Sequence, residues 1–317
     1  MRGAVSTRPP HCGWACAGRL LFVIAAIGLL ALAWLAPPGA ALSAYWRIDA
    51  ASLLMAGGLY LLSHLMRVLR LGLLLAKHEE FSLMRLGQAH LFTAGLSLLL
   101  PFKLGEGMRI VELGHLTGGL WRGFALVWLE RVFDALMLLP LLLLALGGDA
   151  NTDATTPLIL SLTLFAVATL LAFVVLPQNL TYLIHRLIRR HHSQRALLAL
   201  DLMHRIRSRL LHVTDMARGK LATLVTLSFV IWFCEIGLFW LLLHAMADSP
   251  EGLFAHIMTA LSDSLSAAAP TASANSATAG YAELTRLILT VCAIGALIPY
   301  AAWRLRSKPR LRLEPPQ

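Results

Sequence analysis

The most informative segment of this chain is residues 86–119, which read LGQAHLFTAGLSLLLPFKLGEGMRIVELGHLTGG. The apolar run Leu86–Leu100 ends at Pro101, and a polar stretch follows at once. Proline removes a backbone donor and disfavours continuation of a helix, whereas Gly105 and Gly107 permit tight backbone geometry and the close approach of another group. The segment therefore predicts two short helices that meet at a turn around Pro101.

The composition around this segment is that of a membrane protein. Hydrophobic residues make up 58% of the 317 residues and charged residues only 14%, with a mean hydropathy of +0.70. Soluble domains carry about 25% charged residues. Apolar blocks and short loops use nearly the whole length, which excludes a large catalytic domain outside the bilayer. We therefore expect any chemistry to lie in or beside the membrane.

Six further apolar blocks are each long enough to cross a hydrocarbon core about 30 Å thick. Loops rich in Lys and Arg face the cytoplasm, and here they alternate with loops that hold few basic residues or none. The pattern predicts an all-α integral membrane protein with six transmembrane helices and with both termini in the cytoplasm. The predicted spans are Leu20–Ala36, Ala50–Met66, Phe124–Leu146, Pro157–Leu176, Leu221–Ala247 and Leu284–Trp303.

The seventh apolar run, Leu86–Leu100, cannot be a crossing without inverting every later loop. The nine basic residues between Pro177 and Lys220 would then lie outside. We therefore expect residues 86–119 to form a re-entrant hairpin that enters from the cytoplasm and returns to it. Because backbone that is not helical is tolerated at membrane depth only where protein or water lines it, the hairpin implies a polar cavity.

The sequence predicts one polytopic membrane domain, residues 20–303. A basic cytoplasmic N-terminus, residues 1–19, precedes it, and a basic cytoplasmic tail, residues 304–317, follows it. Inside the domain we expect a cytoplasmic interfacial helix pair at 177–220 and a flexible external linker at 248–283, which is rich in Ala, Ser and Thr.

The first apolar block also permits a second interpretation. A basic start, an apolar stretch of 17 residues and the sequence Ala-Ala-Leu-Ser-Ala at 40–44 resemble a secretory signal peptide. Cleavage would leave five spans. We favour retention of this segment, because the length of its apolar run lies at the upper end of the range for signal sequences. Retention also keeps the N-terminus in the cytoplasm without a further assumption.

Charged side chains interrupt the apolar pattern in the hairpin and at the start of the third span. A charge inside a span costs about 2.5–3.5 kcal/mol on insertion scales, so it is expected to face the protein interior and to serve a purpose. Residues three or four apart share a helical face, and both groups follow that spacing. We expect a mutually neutralising cluster that binds or passes a polar lipid head group; ion pairs that only fix helix register are the alternative. The candidate residues are Lys103, Gly105, Glu106, Arg109, Glu112, Glu130, Arg131, Asp134 and Glu235.

Two polar residues in the spans need separate assignments. Glu235 is isolated in the fifth span, and we expect it to pair with Arg131 or Arg109. His64, at the end of the second span, is expected at the membrane interface.

Between Gln178 and Lys220, apolar residues recur at helical spacing against basic ones. Basic clusters at a membrane surface attract anionic lipid by about 1 kcal/mol per charge. We weigh lipid contact equally with the alternative that these charges only set the topology. The candidate anionic-lipid surface comprises Arg186, Arg189, Arg190, Arg205, Arg207 and Arg209.

Other chemistries find no support in the sequence. It contains no nucleotide-binding loop, no paired CxxC motif and no HExxH motif. The four cysteines suggest free thiols rather than a disulfide framework. We expect no metal site, no cofactor and no nucleic-acid partner, and we expect the chain not to be an enzyme.

The motif Pro-Phe-Lys-Leu-Gly-Glu-Gly-Met-Arg at 101–109, followed by Glu-Arg-Val-Phe-Asp at 130–134, resembles a known family. It is similar to the flippase-like transmembrane domain of bacterial lysylphosphatidylglycerol synthases and to stand-alone proteins related to it. That family places a Pro-Gly-Arg-x-Gly-Glu-x-x-Arg hairpin before a Glu-Arg-x-x-Asp helix. The resemblance implies a bacterial inner-membrane protein that moves or presents an anionic, aminoacylated or isoprenoid-type lipid.

The sequence departs from the family pattern in two places. Phe102 replaces a small residue in the hairpin turn, and residues 251–281 lack the second Pro-Gly-Gly loop of the family. The chain also ends at Gln317 without the aminoacyl-transferase domain of the full synthases, so we do not expect it to synthesise a lysyl lipid alone.

Three functions follow as hypotheses. The first is a lipid translocase or lipid-binding protein that uses the charged hairpin. The second is a non-catalytic membrane partner that anchors an envelope lipid- or glycan-modifying enzyme through the basic 177–220 segment. An intramembrane transferase with Glu106 as base is disfavoured, because no nucleophile or metal set accompanies that carboxylate.

Overall fold

The computed structural model of this chain describes residues 12–35, 48–76, 81–99, 104–146, 152–190, 194–246 and 276–306. Within these ranges the chain consists of helices joined by short turns and contains no strand, which confirms the predicted all-α class. A π-helical turn at Leu171–Val175 joins α6 to α7. The helices are α1 Cys12–Leu35, α2 Ala50–Leu75, α3 Leu83–Leu99, α4 Leu104–Thr117, α5 Leu120–Leu146, α6 Thr152–Leu170, α7 Leu176–Arg190, α8 Gln194–Ala217, α9 Leu221–Met246 and α10 Ser276–Arg306.

Within the described residues, four helices are long and apolar enough to cross a membrane. A shorter apolar helix covers Ala17–Ala31 in α1. Helix α5 is equally long, but its first half carries four charged residues between Arg122 and Asp134. The chain is thus a multi-pass membrane protein, and the six crossings with both termini inside stay a prediction. The four helices are Ala50–Leu75, Ile159–Arg189, Leu221–Ala245 and Tyr281–Arg306.

Helix α2 is longer than its predicted span. The apolar pattern predicted Ala50–Met66, whereas the helix continues to Leu75. The Asp49 carboxylate caps its first turn by accepting a backbone N–H. Arg67 and Arg70, which the charge pattern placed in a cytoplasmic loop, therefore lie on a helix. A basic residue does not end a helix when neighbouring helices supply carboxylates for it.

Helices α3 and α4 form an antiparallel hairpin within residues 86–119. Gly105, near the start of α4, lies so close to the backbone of Ser97, near the end of α3, that no Cβ atom would fit between them. At 1.5 Å per residue the two helices are about 26 and 21 Å long, close to the thickness of a hydrocarbon core. Residues 100–103, which include the turn and Lys103, lie outside the described part of the chain.

Helix α5 packs directly on α4 after a tight turn. Gly118 follows the last residue of α4 with φ +79°, the left-handed conformation that ends many helices. Gly123 then lies against the backbone of Ile110 and Gly114, again without room for a Cβ atom. Two glycine contacts, Gly105 with α3 and Gly123 with α4, thus bring three helices close enough for their charged side chains to meet.

Three apolar clusters in the described residues pack α1, α2, α8, α9 and α10 around this unit. The largest joins α2, α5, α8 and α9 with parts of α3 and α4. A second joins α1, α3, α4 and α10 around Phe22, Phe92 and Tyr300. The third joins α2, α9 and α10. The charged residues of α4 and α5 therefore lie between helices that are themselves firmly packed.

The segment at 177–220 contains the predicted pair of helices. Helix α6 continues without a break into α7, and α7 packs on α8. None of the most apolar part of 159–189 is buried within the described protein, so this surface suits contact with lipid. The interfacial position of the pair stays a prediction, and most of the predicted linker at 248–283 lies outside the described residues.

Cysteine labelling tests the re-entrant hairpin. Single cysteines at Ser82 and Gly119, in a background without the native cysteines, are expected to react with a membrane-impermeant maleimide from the same side of the membrane. The reason is that α3 and α4 together return the chain to its starting side. A cysteine at Asp49 is expected to react from the opposite side. Labelling of Ser82→Cys and Gly119→Cys from opposite sides would contradict the re-entrant hairpin.

Candidate functional site

A buried set of ion pairs joins α2, α4 and α5. Arg109 of α4 donates from Nη2 to Glu130 Oε1 over 3.0 Å, and the same nitrogen lies 2.9 Å from Oε2. Arg70 of α2 lies 3.6 Å from the Glu130 carboxylate and donates from Nη1 to Asp134 Oδ1 over 2.9 Å. All four side chains are less than a tenth exposed. Two guanidinium groups and two carboxylates thus neutralise each other away from solvent.

Arg70 also connects these pairs to α9. Its Nη1 donates to Ser228 Oγ over 2.9 Å, and the Ser228 hydroxyl donates in turn to the Leu224 carbonyl oxygen over 2.8 Å. The Arg70 side chain has no exposed surface. Arg70 is therefore the charge that ties α2, α5 and α9 together.

The ion pairs reach the protein surface at Arg131. Its guanidinium lies 3.3 Å from Asp134 on the next turn of α5 and 3.5 Å from Glu106 on α4. The side chains of Arg131 and Glu106 are 38% and 33% exposed, unlike the buried pairs beneath them. These contacts are also longer than the 2.7–2.9 Å typical of charge-assisted hydrogen bonds. The Arg131–Glu106 edge is therefore the accessible and loosely bonded end of the cluster.

Two histidines extend the cluster in the opposite direction. Arg109 Nη2 lies 2.8 Å from His90 Nδ1, and His90 Nε2 lies 2.9 Å from His64 Nδ1. The Tyr60 ring meets the edge of the His64 ring at a centroid distance of 4.7 Å. The predicted interfacial position of His64 is wrong, since the residue is buried. It is buried because α2 continues beyond it and α3 covers it.

The partner of Glu235 is Arg67, not Arg131 or Arg109 as the sequence suggested. Arg67 Nη2 donates to Glu235 Oε1 over 3.1 Å. Ser63 donates to the same oxygen over 2.8 Å, and the Tyr281 hydroxyl of α10 donates to Oε2 over 3.0 Å. The physical reason is that α9 packs antiparallel on α2, so its acidic residue faces the basic one on α2.

Glu112 belongs to a separate cluster. Its Oε2 accepts hydrogen bonds from the Tyr300 hydroxyl over 2.7 Å and from Arg304 Nε over 3.0 Å, both on α10. The Arg304 guanidinium lies 5.9 Å from the centroid of the Phe22 ring on α1. The charged flank of α4 is therefore divided: Glu106 and Arg109 face α5, whereas Glu112 ties α4 to α10 and α1.

We call the four arginines and four carboxylates that pair between α2, α4, α5 and α9 the charge network. Its four guanidinium groups and four carboxylates balance when both imidazoles are neutral. Each arginine leaves its Nε–H without a hydrogen-bond partner among the described residues. Buried donors without an acceptor are rare in proteins, so the network has the capacity to bind further oxygen atoms. Its members are Arg67, Arg70, Arg109, Arg131, Glu106, Glu130, Asp134 and Glu235.

The remaining site predictions concern metal binding and the basic surface. In the described ranges, no group of three or more His, Cys, Asp or Glu side chains is placed to hold a metal ion. Of the six arginines predicted to form the anionic-lipid surface, four are exposed, Arg207 is partly buried, and the Arg190 side chain is not among those described. Arg205 pairs with Asp201 one turn earlier on α8. The exposed four are Arg186, Arg189, Arg205 and Arg209.

Sequence reasoning missed three kinds of site residue. Arg67 and Arg70 were counted as loop charges, the buried histidines carry no formal charge, and Tyr281 and Arg304 come from the last helix. A signal was present for α2, because Tyr60, Ser63, Arg67 and Arg70 recur three or four residues apart. That spacing places polar groups along one helical face.

Comparison with known proteins gives one match. A protein-family model described as the lysylphosphatidylglycerol synthase TM region matches residues 19–274. This range contains the hairpin and the whole charge network, together with most of α1 and all of α9, and it ends before α10. No curated protein and no solved structure matches the chain.

Proposed function

This chain belongs to the family of the lysylphosphatidylglycerol synthase transmembrane region, and on that basis we propose that it translocates a polar lipid across the bacterial inner membrane. Membership itself gives the chain a role connected with membrane lipids. The lipid head group, in this proposal, carries an anionic group such as a phosphate. The charge network guides that group past the hairpin, and the acyl chains stay in the bilayer. The chain acts by binding and transport rather than by catalysis.

The observation that carries this proposal is the gradient of exposure along the charge network. Buried pairs at Arg70 and Arg109 lead without interruption to the partly exposed pair of Arg131 and Glu106. A structural ion pair needs no such continuity. A lipid head group, in contrast, needs a series of charged contacts that begins where the head group can enter.

Entry is expected at the Arg131–Glu106 edge. A phosphate oxygen that displaces the Glu106 carboxylate from Arg131 breaks a contact of 3.5 Å in a partly exposed pair. Displacing Glu130 from Arg109 instead would leave a buried charge without its partner, which costs about 3–5 kcal/mol. The head group therefore replaces the weak contact first, and it reaches Arg109 only after the helices have moved.

The exposed arginines of α7 and α8 support this assignment. Arg186 and Arg189 lie on α7, and Arg205 and Arg209 lie on α8, all exposed. Exposed Tyr182, Leu183 and Ile188 accompany them on α7. Basic and apolar side chains exposed together favour binding at the surface of an anionic membrane. This surface would concentrate anionic lipid beside the protein.

Lipid flip-flop in liposomes tests the proposal. Purified protein is expected to accelerate dithionite quenching of a fluorescent phosphatidylglycerol placed in the inner leaflet. Arg131→Gln should slow that quenching about tenfold, because one charge-assisted contact is worth about 1.5 kcal/mol at the lower end. Glu106→Gln should leave the rate unchanged or raise it, since it removes only the competitor for Arg131.

A second pair of variants separates transport from folding. The double variant Arg109→Gln with Glu130→Gln removes a buried pair without leaving a lone charge, and it should abolish the acceleration. The matched control is Arg304→Gln with Glu112→Gln, which removes an equally buried pair outside the charge network. Flip-flop at the wild-type rate in Arg131→Gln and in the Arg109/Glu130 double variant would refute the assignment of the network.

A further inference from the structure

We infer that the His64–His90 pair takes up one proton when an anionic head group binds to the charge network, so that proton and lipid are transported together. This inference rests on the proposed function for its ligand. It is carried by the hydrogen-bond chain from Arg109 through His90 to His64, whose two links measure 2.8 and 2.9 Å.

The arginine at the end of this chain dictates the tautomer of both rings. A guanidinium group has only donors, so His90 Nδ1 must accept the hydrogen bond from Arg109. His90 then carries its hydrogen on Nε2 and donates it to His64 Nδ1. His64 therefore carries its own hydrogen on Nε2. Both imidazoles are neutral, and each uses its one acceptor nitrogen.

An added proton cannot enter while both hydrogen bonds of this chain are kept. A proton on His90 Nδ1 would oppose the Arg109 N–H directly. A proton on His64 Nδ1 would oppose His90 Nε2–H, and the two rings can then stay hydrogen-bonded only if the His90 tautomer reverses, which again places an N–H against Arg109. Protonation of the hydrogen-bonded pair and the Arg109–His90 hydrogen bond therefore exclude each other. Uptake of one proton by the intact pair releases a donor of Arg109.

The charges that face the pair explain why the proton needs a companion anion. Arg67 and Arg70 of α2 and Arg109 of α4 all act on the imidazoles electrostatically. The carboxylates nearest to these cations are already bonded to them: Glu130 to Arg109, Asp134 to Arg70 and Glu235 to Arg67. The uncharged ring of Tyr60 packs against the His64 ring, and the Tyr281 hydroxyl of α10 donates to Glu235.

Charge balance links the two binding events. The charge network has no net charge when the imidazoles are neutral, so one proton gives it a charge of +1. A phosphate diester carries one negative charge and restores the balance, and the donor released from Arg109 is available to its oxygen atoms. Proton and anion should therefore each strengthen the binding of the other by the same factor. A transmembrane pH difference would then drive the lipid, with up to about tenfold accumulation per pH unit.

Proton uptake on lipid binding tests this inference. Purified full-length protein in weakly buffered detergent at about pH 7, where histidine titrates, is mixed with dihexanoylphosphatidylglycerol while a pH dye is monitored. Binding is measured in parallel by calorimetry. We expect uptake of close to one proton per bound phosphatidylglycerol and none with the zwitterionic dihexanoylphosphatidylcholine.

Three histidine variants assign the proton. In His90→Gln the amide can accept from Arg109 and donate to His64, so the hydrogen bonds are kept while the ionisable ring is lost. His64→Gln is a second variant in case the first does not fold. Both should bind phosphatidylglycerol without proton uptake. The control is His185→Gln, which removes an exposed α7 histidine whose Nδ1 is hydrogen-bonded to the Thr181 carbonyl oxygen, and its uptake should equal that of the wild type.

The outcomes separate this inference from the function on which it rests. Phosphatidylglycerol binding without proton uptake would overturn the coupling and leave lipid binding intact. Undiminished uptake in both His90→Gln and His64→Gln would overturn it as well, because another group would then take the proton. Absence of binding to phosphatidylglycerol would overturn the anionic-lipid proposal itself, and the coupling with it.

Discussion

Replacement of Arg70 by methionine is expected to lower the free energy of unfolding by about 3–5 kcal/mol, because it leaves buried carboxylates without their cation. Arg70 has no exposed surface and is bonded to Asp134 and Ser228, with Glu130 3.6 Å away. Methionine fills much of the same volume, so the loss of unfolding free energy is due to removal of the charge and not to a cavity. The measurement is reversible unfolding in mixed detergent micelles, followed by circular dichroism.

Two further variants test the explanation. The double variant Arg70→Met with Asp134→Leu should recover most of the lost stability, since removing both members of a buried pair is often neutral. Arg205→Met removes an arginine from an exposed pair with Asp201, and its effect should stay within about 0.5 kcal/mol. Equal losses of unfolding free energy in Arg70→Met and Arg205→Met would show that the buried ion pairs of the network contribute no more to stability than an exposed pair.

The sequence was sufficient for those features that depend on local pattern. Apolar blocks predicted the helical membrane class, and Pro101 at the end of an apolar run predicted that α3 and α4 are separate helices. The spacing of Arg131 and Asp134 placed them on one helical face, and they are in contact because residues three apart on a helix are neighbours whatever surrounds them. In each case a short stretch of sequence contains the information.

Contacts between helices could not be predicted in this way. Glu235 could have met any cation, and only the packing of α9 on α2 selects Arg67. Basic residues at the end of an apolar block, such as Arg67 and Arg70, look the same whether they face the cytoplasm or are buried by other helices. Arg70 is buried because it packs against α5 and α9, where Asp134 and Ser228 accept its hydrogen bonds.

The same limitation applies to the two histidines and to α10. A histidine has no formal charge at neutral pH, so His64 and His90 did not disturb the charge pattern from which the site was predicted. Arg304 at the end of α10 resembled a topology signal, yet it is buried against Glu112. Loop charges and buried charges can be told apart only when the neighbouring helices are known.

Replacement of Gly105 by alanine is expected to disrupt the hairpin, whereas the same change at Gly107, two residues later on α4, should be tolerated. A Cβ atom at Gly105 would collide with the backbone and hydroxyl of Ser97, and backbone atoms cannot move aside as a flexible side chain does. Overpacking of this kind costs about 1–3 kcal/mol, and more where the backbone itself must shift. At Gly107 nothing lies within 4 Å of the added atom, so alanine should stabilise the helix by up to about 1 kcal/mol.

The pair of glycine variants tests whether close contact between α3 and α4 maintains the charge network. If α4 is pushed away from α3, the Arg109–His90 hydrogen bond lengthens as well, because both contacts join the same two helices. Gly105→Ala should therefore lose lipid flip-flop together with stability, whereas Gly107→Ala should keep both. Thermal unfolding and dithionite quenching on the same preparations give the two readouts. A Gly105→Ala protein as stable and as active as Gly107→Ala would mean that the hairpin tolerates separation of its helices, and that close packing does not position Arg109.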